Sequence, residues 1–496
     1  IEVSNLLGID DPVIEIEITP NRGDCLGVRG IARDLSAYGI GNLKKIDFIK
    51  KTGDFESCVK WKLQLSDQDK DLCPKILGRT FRNLNNVTSP PWMRNRLQLA
   101  GLKCISGLVD ITNYIMLDIG RPLHAYDVKK IKGNVLNVRL AKEEEKFFGL
   151  NNKSYDLDNK MLVIADQEGP DDLAGIMGGS RTGIDNQTSE MFLEVAIFSP
   201  SSVAQTGRKL NIVSDARYRF ERGLDFEAPD WSIHYASDLI TKICGGNFSF
   251  IDMKSTKIQL KKIFFNPKLV QDLIGIDIEQ DKIIDILTKL GFILDKTKSN
   301  EWTILVPSWR NDIDGKADIV EEIIRIYGYD KIPISFLKRN QIITKPSLKT
   351  EQRKNLYIRK IIASKGFNEV ITFSFLDKMR ADFFNEGKNS LSLVNPISSE
   401  LSQMRPSIIP NLIEAAQKNI NKGFNNISFF EVGPIFIGDK PSEQLNVASG
   451  FRCGNKTDKN WKNDKVNFDF YDLKSDVIQF LDALCLPSRK LIISSN

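Results

Sequence analysis

TNYIMLDIGRPLHAYD, residues Thr112–Asp127, contains one of only two histidines in a chain of 496 residues. A residue type used so sparingly is a poor candidate for filling a solvated face. His124 follows the turn Gly120-Arg121-Pro122, where the proline ring restricts the neighbouring backbone and so aims the imidazole. Outward from this stretch, 41% hydrophobic and 27% charged residues are ordinary for a folded globular protein. The chain is too long for one hydrophobic core, so about three or four domains are expected.

Composition excludes several classes. No apolar run approaches the roughly 18 residues of a membrane span, and no basic segment followed by an apolar one opens the chain, so a cytoplasmic protein is expected. The seven cysteines, Cys25, Cys58, Cys73, Cys104, Cys244, Cys453 and Cys485, are scattered in the sequence. Neither a zinc knuckle nor a disulfide framework fits that spacing. A formal charge of +5 from 69 basic and 64 acidic residues permits nucleic-acid contact without focusing a field on any one tract. The first residue is Ile1, which suggests a piece of a longer protein.

Four regions follow from periodicity and breakers. Residues 1–51 alternate as VIEIEIT, predicting a strand, then pass through Pro20 to Gly23 into a helix near 26–38. Residues 52–257 carry strand runs NVLNVRLA, MLVIA and FLEVAIF between Gly- and Asn-rich turns, an α+β pattern. Residues 258–333 turn helical. Asn266 and Pro267 suit a helix start, Gly275 a stop, and Asp277 with Gln280 has capping-box spacing. Two short helices followed by TILVP predict a small winged-helix-like module. Residues 334–496 combine a helix around 351–365 with strand signals EVITFSF and ISFFEVGPIF.

Two carboxylate features stand out. Glu194 lies in the apolar run MFLEVAIF, so it either faces solvent from a strand or is buried. Asp318, Glu321 and Glu322 share one helical face by i, i+3, i+4 spacing, opposite Ile319, Val320, Ile323, Ile324 and Tyr327. By spacing this is either a solvated acidic face or a group of hard oxygen ligands suited to Mg²⁺.

The motifs TPNRGDCLGVRGIARDL from Thr19, RPLHAYD, AGIMGGSRTGI from Ala174, SDARYRFERGLD from Ser214, PSWRNDI from Pro307 and VEEIIRIYGYDKIP from Val320 occur in this order. In that order the chain resembles the beta-subunit family of bacterial-type phenylalanyl-tRNA synthetases. The resemblance implies a multidomain α+β fold: an N-terminal segment (1–51), an editing domain (52–257), a winged-helix-like module (258–333) and a truncated, catalytically inactive class II-like antiparallel domain (334–496). A tRNA-binding OB domain and an anticodon-binding domain of the family are expected to be missing.

The resemblance implies a beta subunit of phenylalanine–tRNA ligase that supports ATP-dependent charging of tRNA(Phe) by an alpha subunit. It also implies hydrolysis of mischarged Tyr-tRNA(Phe). A pocket that fits phenylalanine rejects tyrosine only by a factor of order 10², so a second pocket with a buried phenol acceptor is needed. The implied editing residues are His124, Glu194 and Ser214, with Asn113, Gly178 and Ala216 lining the pocket. In these roles Glu194 accepts the phenol, and His124 holds the terminal ribose or the scissile ester, or assists a water, with positioning favoured over base catalysis. Gly178, without a side chain, lets ligand and backbone approach closely, and Ala216 leaves room for the ring. The family commonly has threonine at Ser214, so the geometry there is expected to be looser.

Asp312, Asp318, Glu321 and Glu322 match a Mg²⁺ site shared with the alpha subunit. ATP is implied for the complex but not for this chain alone, because Phe429 stands where an active class II motif places arginine before its glutamate, here Glu431. The implied assembly is a heterotetramer of two alpha and two beta chains with tRNA(Phe), without DNA or membrane. The alternative is a non-enzymatic scaffold and tRNA-docking subunit with a weak editing pocket. Arg217, Arg219 and Arg222 could touch tRNA phosphates, but Glu221 and Asp225 favour internal salt bridges.

Overall fold

The computed structural model describes residues 12–256, 259–296, 301–336, 346–385, 391–457, 461 and 465–486. They divide into two compact units, Ile1–Phe336 and Leu337–Asn496.

The first unit opens with an extended segment, 12–19, that no strand pairs, and Val13, Ile14 and Ile16 are exposed. The alternation VIEIEIT therefore makes no β-strand here. Period-two patterning gives an extended chain, but a strand also needs hydrogen-bonding neighbours. Helix α1 (Val28–Tyr38) follows and ends on Gly39 at φ 105°.

The centre of this unit is two sheets. One contains β1 (Lys60–Gln64), which runs parallel to β4 (Val135–Leu140). β4 continues into β5 (Leu162–Ala165), β6 (Pro170–Leu173) and β7 (Met177–Gly178). The other is antiparallel: β8 (Met191–Ile197) lies between β2 (Lys75–Arg82) and β3 (His124–Asp127), with β9 (Asn247–Phe248) and β10 (Asp252–Ser255) on β2's outer edge. Every residue of β8 is buried. Phe192 and Ala196 enter a core with Trp61, Tyr126, Phe147 and Ile164. Leu193 and Val195 enter another with α2 (Gly107–Ile119) and α4 (Ala228–Cys244), the latter following the short helix α3 (Asp215–Phe220). A strand buried on both faces reads as a continuous apolar run, so this sheet offers Glu194 no solvent side.

The remaining part of this unit is β11 (Lys262–Phe265), α5 (Lys268–Ile274), α6 (Gln280–Lys289), β12 (Ile293–Asp295), β13 (Trp302–Leu305) and α7 (Lys316–Tyr327). Its antiparallel sheet has β13 in the centre. Asn266 caps α5 through a 3.0 Å bond from Lys268 N–H, and Gly275 closes it at φ 81°. The expected cap Asp277 is not used: α6 starts after Glu279, whose side chain makes no cap bond.

The second unit has α8 (Thr350–Ser364), β14 (Asn368–Glu369), α9 (Ile409–Ile420), β15 (Ile427–Phe436), β16 (Gln444–Cys453) and α10 (Phe470–Ala483). Its three-stranded sheet places β15 between β14 and β16. EVITFSF contributes only β14 and the two-residue strand Phe375–Leu376; Ile371 and Phe373 between them are exposed.

Candidate functional site

His124 and Glu194 are register partners on β3 and β8, so both side chains leave the sheet on the same face. Two residues further along β3, Tyr126 lies on that face too. Its hydroxyl donates to Glu194 Oε2 at 2.6 Å and lies 3.3 Å from Asp172 Oδ2 on β6. The Tyr126 and His124 rings meet edge to face at 4.4 Å. Tyr126 and Asp172 were not anticipated from the sequence, yet their signal was present. Once HAYD is a strand, period two puts residues 124 and 126 together, and the paired aspartates at 171–172 directly precede the apolar run Leu173–Met177.

The site is electrostatically costly. Burial pushes the Glu194 carboxyl from 4.5 up to about 7, although the Tyr126 bond and the Arg121 charge favour its ionised form. Asp172 is held well above the usual carboxylate range by burial and then by the Glu194 charge. Burial lowers His124 to about 4, so the imidazole is neutral at pH 7. Its Nε2 is sealed from solvent without a hydrogen-bond partner among the described residues. A neutral imidazole with an unused ring nitrogen beside a buried carboxyl can accept or donate one hydrogen bond to a bound group, or hold a water.

Gly178 on β7 faces this imidazole. A Cβ there would stand 2.8 Å from Nε2 and closer still to Cε1. The missing side chain is what lets the imidazole approach the backbone here. Ser214 is the N-cap of α3: its Oγ accepts from Arg217 N–H at 3.1 Å and donates to the Ile176 carbonyl at 2.6 Å. These two bonds tie α3 to the loop before Gly178. Ala216, the second residue of α3, packs half-buried against the first core. Asn113 is half-buried on α2, the helix that leads into β3, and its amide makes no side-chain hydrogen bond among the described residues.

The four acidic residues of the helical module do not converge as metal ligands. Glu322 is buried between Arg310 and Arg325; burial alone would raise it, but these two guanidinium groups hold it down at about 2. Asp312 is held by both Arg310 nitrogens at 2.8 and 2.9 Å. Asp318 caps α7, accepting from Asp314 and Gly315 N–H at 2.8 Å each. Glu321 alone points outward, exposed. A Mg²⁺ ion needs several free oxygens around one point, and this arrangement supplies arginines in their place. Among the described residues, the acidic and thiol group whose ligand atoms do lie within 4.8 Å of one another is Asp24, Cys25 and Asp34, and Arg22 pairs with both aspartates.

Two further expectations concern arginines and the last unit. Arg217 pairs with Glu221 at 3.0 Å, Arg219 with Asp215 at 3.1 Å, and Arg222 with Glu221 at 3.1 Å. Their charges are used inside the protein. Phe429 stands on β15, and Glu431, two residues on, is buried and accepts from Arg405 at 2.9 Å and Thr372 at 2.5 Å. This glutamate is a structural anchor.

Comparison with known proteins finds domain profiles along this chain. A B3/4 domain profile matches residues 72–245, which contain the His124–Glu194 pair; a tRNA synthetase B5 domain matches 263–329; and a phenylalanyl tRNA synthetase beta chain CLM domain matches 337–493. The phenylalanine–tRNA ligase beta subunit of Paramagnetospirillum magneticum is 43% identical over 476 residues, covering 95% of this chain and 59% of its own. The chain belongs to the phenylalanine–tRNA ligase beta-subunit family. The beta subunits of Bartonella henselae and Brucella abortus are 43% and 40% identical, covering 98% and 99% of this chain. The chain spans about three fifths of the length of these family members, 61% in each of the latter two.

Proposed function

We propose that this chain works as the editing subunit of a phenylalanine–tRNA ligase, hydrolysing tyrosine from tRNA(Phe) at the β3–β8 site. The single observation that carries the reading is the cross-strand pairing of His124 with a buried Glu194. A tyrosyl phenol presented to Glu194 finds a second donor's place on the carboxyl, beside Tyr126; phenylalanine leaves that place unfilled, which costs about 1–3 kcal/mol. Neutral His124 offers Nε2 to the ester or to the attacking water. Asn113 and Ala216 complete the pocket in this reading, and Gly178 and Ser214 hold its geometry. No step runs through a cation, because Asp312, Asp318 and Glu322 are engaged as described.

The reading extends to an alpha-subunit partner that performs ATP-dependent charging. What supports it is the second unit's exposed apolar surface: Ile371 at 91%, Met379 at 78% and Phe383 at 82%. They stand beside a cavity of about 780 Å³ that Ile371, Phe373 and Met379 line with Arg380 and Glu414. A two-alpha, two-beta assembly and tRNA(Phe) binding belong to the same proposal.

The test is deacylation of Tyr-tRNA(Phe) by the assembled enzyme. His124→Ala and Glu194→Ala are each expected to slow it at least tenfold; unchanged rates in both would defeat the reading. One observation favours the scaffold alternative: the Tyr126 hydroxyl already occupies one oxygen of Glu194. Slow hydrolysis by the wild type that quickens in Tyr126→Phe would select a self-occupied pocket, and no hydrolysis in either would select the scaffold.

A further inference from the structure

On another side of the first unit lies a two-chambered cavity that the editing reading does not use. The inner chamber, about 40 Å³, is lined by Arg29, Arg33 and Arg121 with Asp24 and Asp225. It opens to a basin of about 380 Å³ that shares Arg29, Arg33, Asp225, Trp231 and Trp309 and adds Lys45 and Lys289 with the apolar Leu43 and Phe48.

Three guanidinium groups line the inner chamber against two carboxylates, and Asp225 is near enough to act on both Arg33 and Arg121. Asp24 is already committed to Arg22 at 2.9 Å and lies 3.5 Å from Arg33. Arg121 is 1% exposed; one of its nitrogens donates to the Ala196 carbonyl, whereas Nε and Nη1 have no acceptor among the described residues. Arg33 Nη1 and Trp309 Nε1 are buried donors without a hydrogen-bond partner as well. Burial of guanidinium groups without matching acceptors costs free energy on a scale that folded proteins rarely leave uncompensated. Several orphan donors on residues that line one chamber are an arrangement that an oxyanion can satisfy, and arginine forks match phosphate oxygens in pairs.

The outer basin adds shape. Arg33 covers the Trp309 ring at 4.0 Å, which leaves Trp231 and Phe48 as the aromatic surfaces for a planar group. Lys45 and Lys289 are exposed at the rim, where they add attraction to an anion without fixing its position.

We infer that this cavity is a binding site for a phosphorylated nucleoside, with the phosphate in the inner chamber against Arg29, Arg33 and Arg121 and the nucleoside in the basin. The inference does not depend on the editing reading. The same chemistry is offered by a free nucleotide and by a single-stranded RNA segment.

Calorimetric titration of the full chain tests it with cytidine 5′-monophosphate, cytidine, inorganic phosphate and a short single-stranded oligoribonucleotide. The monophosphate is expected to bind at least tenfold more tightly than cytidine or phosphate alone. Arg29→Ala and Lys45→Ala, both at accessible positions, are expected to weaken it at least threefold each, and Arg121→Met at least thirtyfold. Tighter binding of the oligonucleotide than of the monophosphate assigns the site to RNA, and the reverse assigns it to free nucleotide. Equal affinity for cytidine and its monophosphate overturns the inference. So does binding that Arg29→Ala and Lys45→Ala leave unchanged, even if Arg121→Met fails to fold.

Discussion

Glu194 shows what one residue costs and what it provides. Its carboxyl is held at about 7 in the folded state against 4.5 ordinarily, because burial disfavours the charge. Folding therefore loses stability as pH rises from about 4.5 to about 7, where the unfolded chain releases the proton before the folded one does. Urea unfolding of wild type and Glu194→Gln at pH 5 and pH 7.5 checks it: the variant is expected to lose less stability over that interval. Gly178→Ala places a methyl group in the His124 ring, an overpacking that costs about 1–3 kcal/mol. Hydrolysis of Tyr-tRNA(Phe) should fall with it while far-ultraviolet circular dichroism stays near wild type. The scarcity of histidine singled out His124 from sequence, but the burial of Glu194 was undecidable there. MFLEVAIF is equally compatible with a strand exposed on one face, and only the two flanking cores remove that option.

At the scale of elements, α7 shows why a helical carboxylate face is not a metal site by spacing alone. Positions 318, 321 and 322 do share a face, yet the three side chains end in different surroundings. Asp318 caps the helix, Glu322 is clamped and Glu321 is solvated. The clamping groups come from Arg310, before the helix, and Arg325, a turn later. Glu322→Ala leaves two guanidinium groups facing a buried void and is expected to cost about 3–5 kcal/mol in thermal or urea unfolding. Asp318→Ala, which removes only a cap, should cost about 1 kcal/mol. Glu321→Ala should change neither stability nor Mg²⁺ affinity beyond error in a metal titration; a clear loss of affinity would restore the cation reading. The helix itself was legible from its apolar positions, whereas Arg310 as a partner of Glu322 follows from the path of the chain between β13 and α7.

For the whole molecule, the contrast is between a first unit with extensive cores and a second whose apolar surface is left open. Phe367, Phe430 and Val432 make a small buried cluster there, while Ile371, Phe373, Met379 and Phe383 face outward. Introducing a charge by Phe373→Asp with Met379→Asp is expected to abolish copurification with the alpha chain. Stability of the free chain should change by less than about 1 kcal/mol, since surface substitutions disturb little. Loss of stability without loss of assembly would count against that surface. Order of motifs, apolar periodicity and turn residues sufficed to determine from sequence the family, the α+β class and most helices and central strands, because these are local signals repeated along the chain. Only tertiary structure decided that 12–19 pairs with no strand among the described residues, that Tyr126 meets Glu194, that Arg310 claims Glu322 and that Arg121 Nε and Nη1 have no acceptor among the described residues. Pairing, burial and charge compensation depend on which distant residues come together, and no local pattern specifies that meeting.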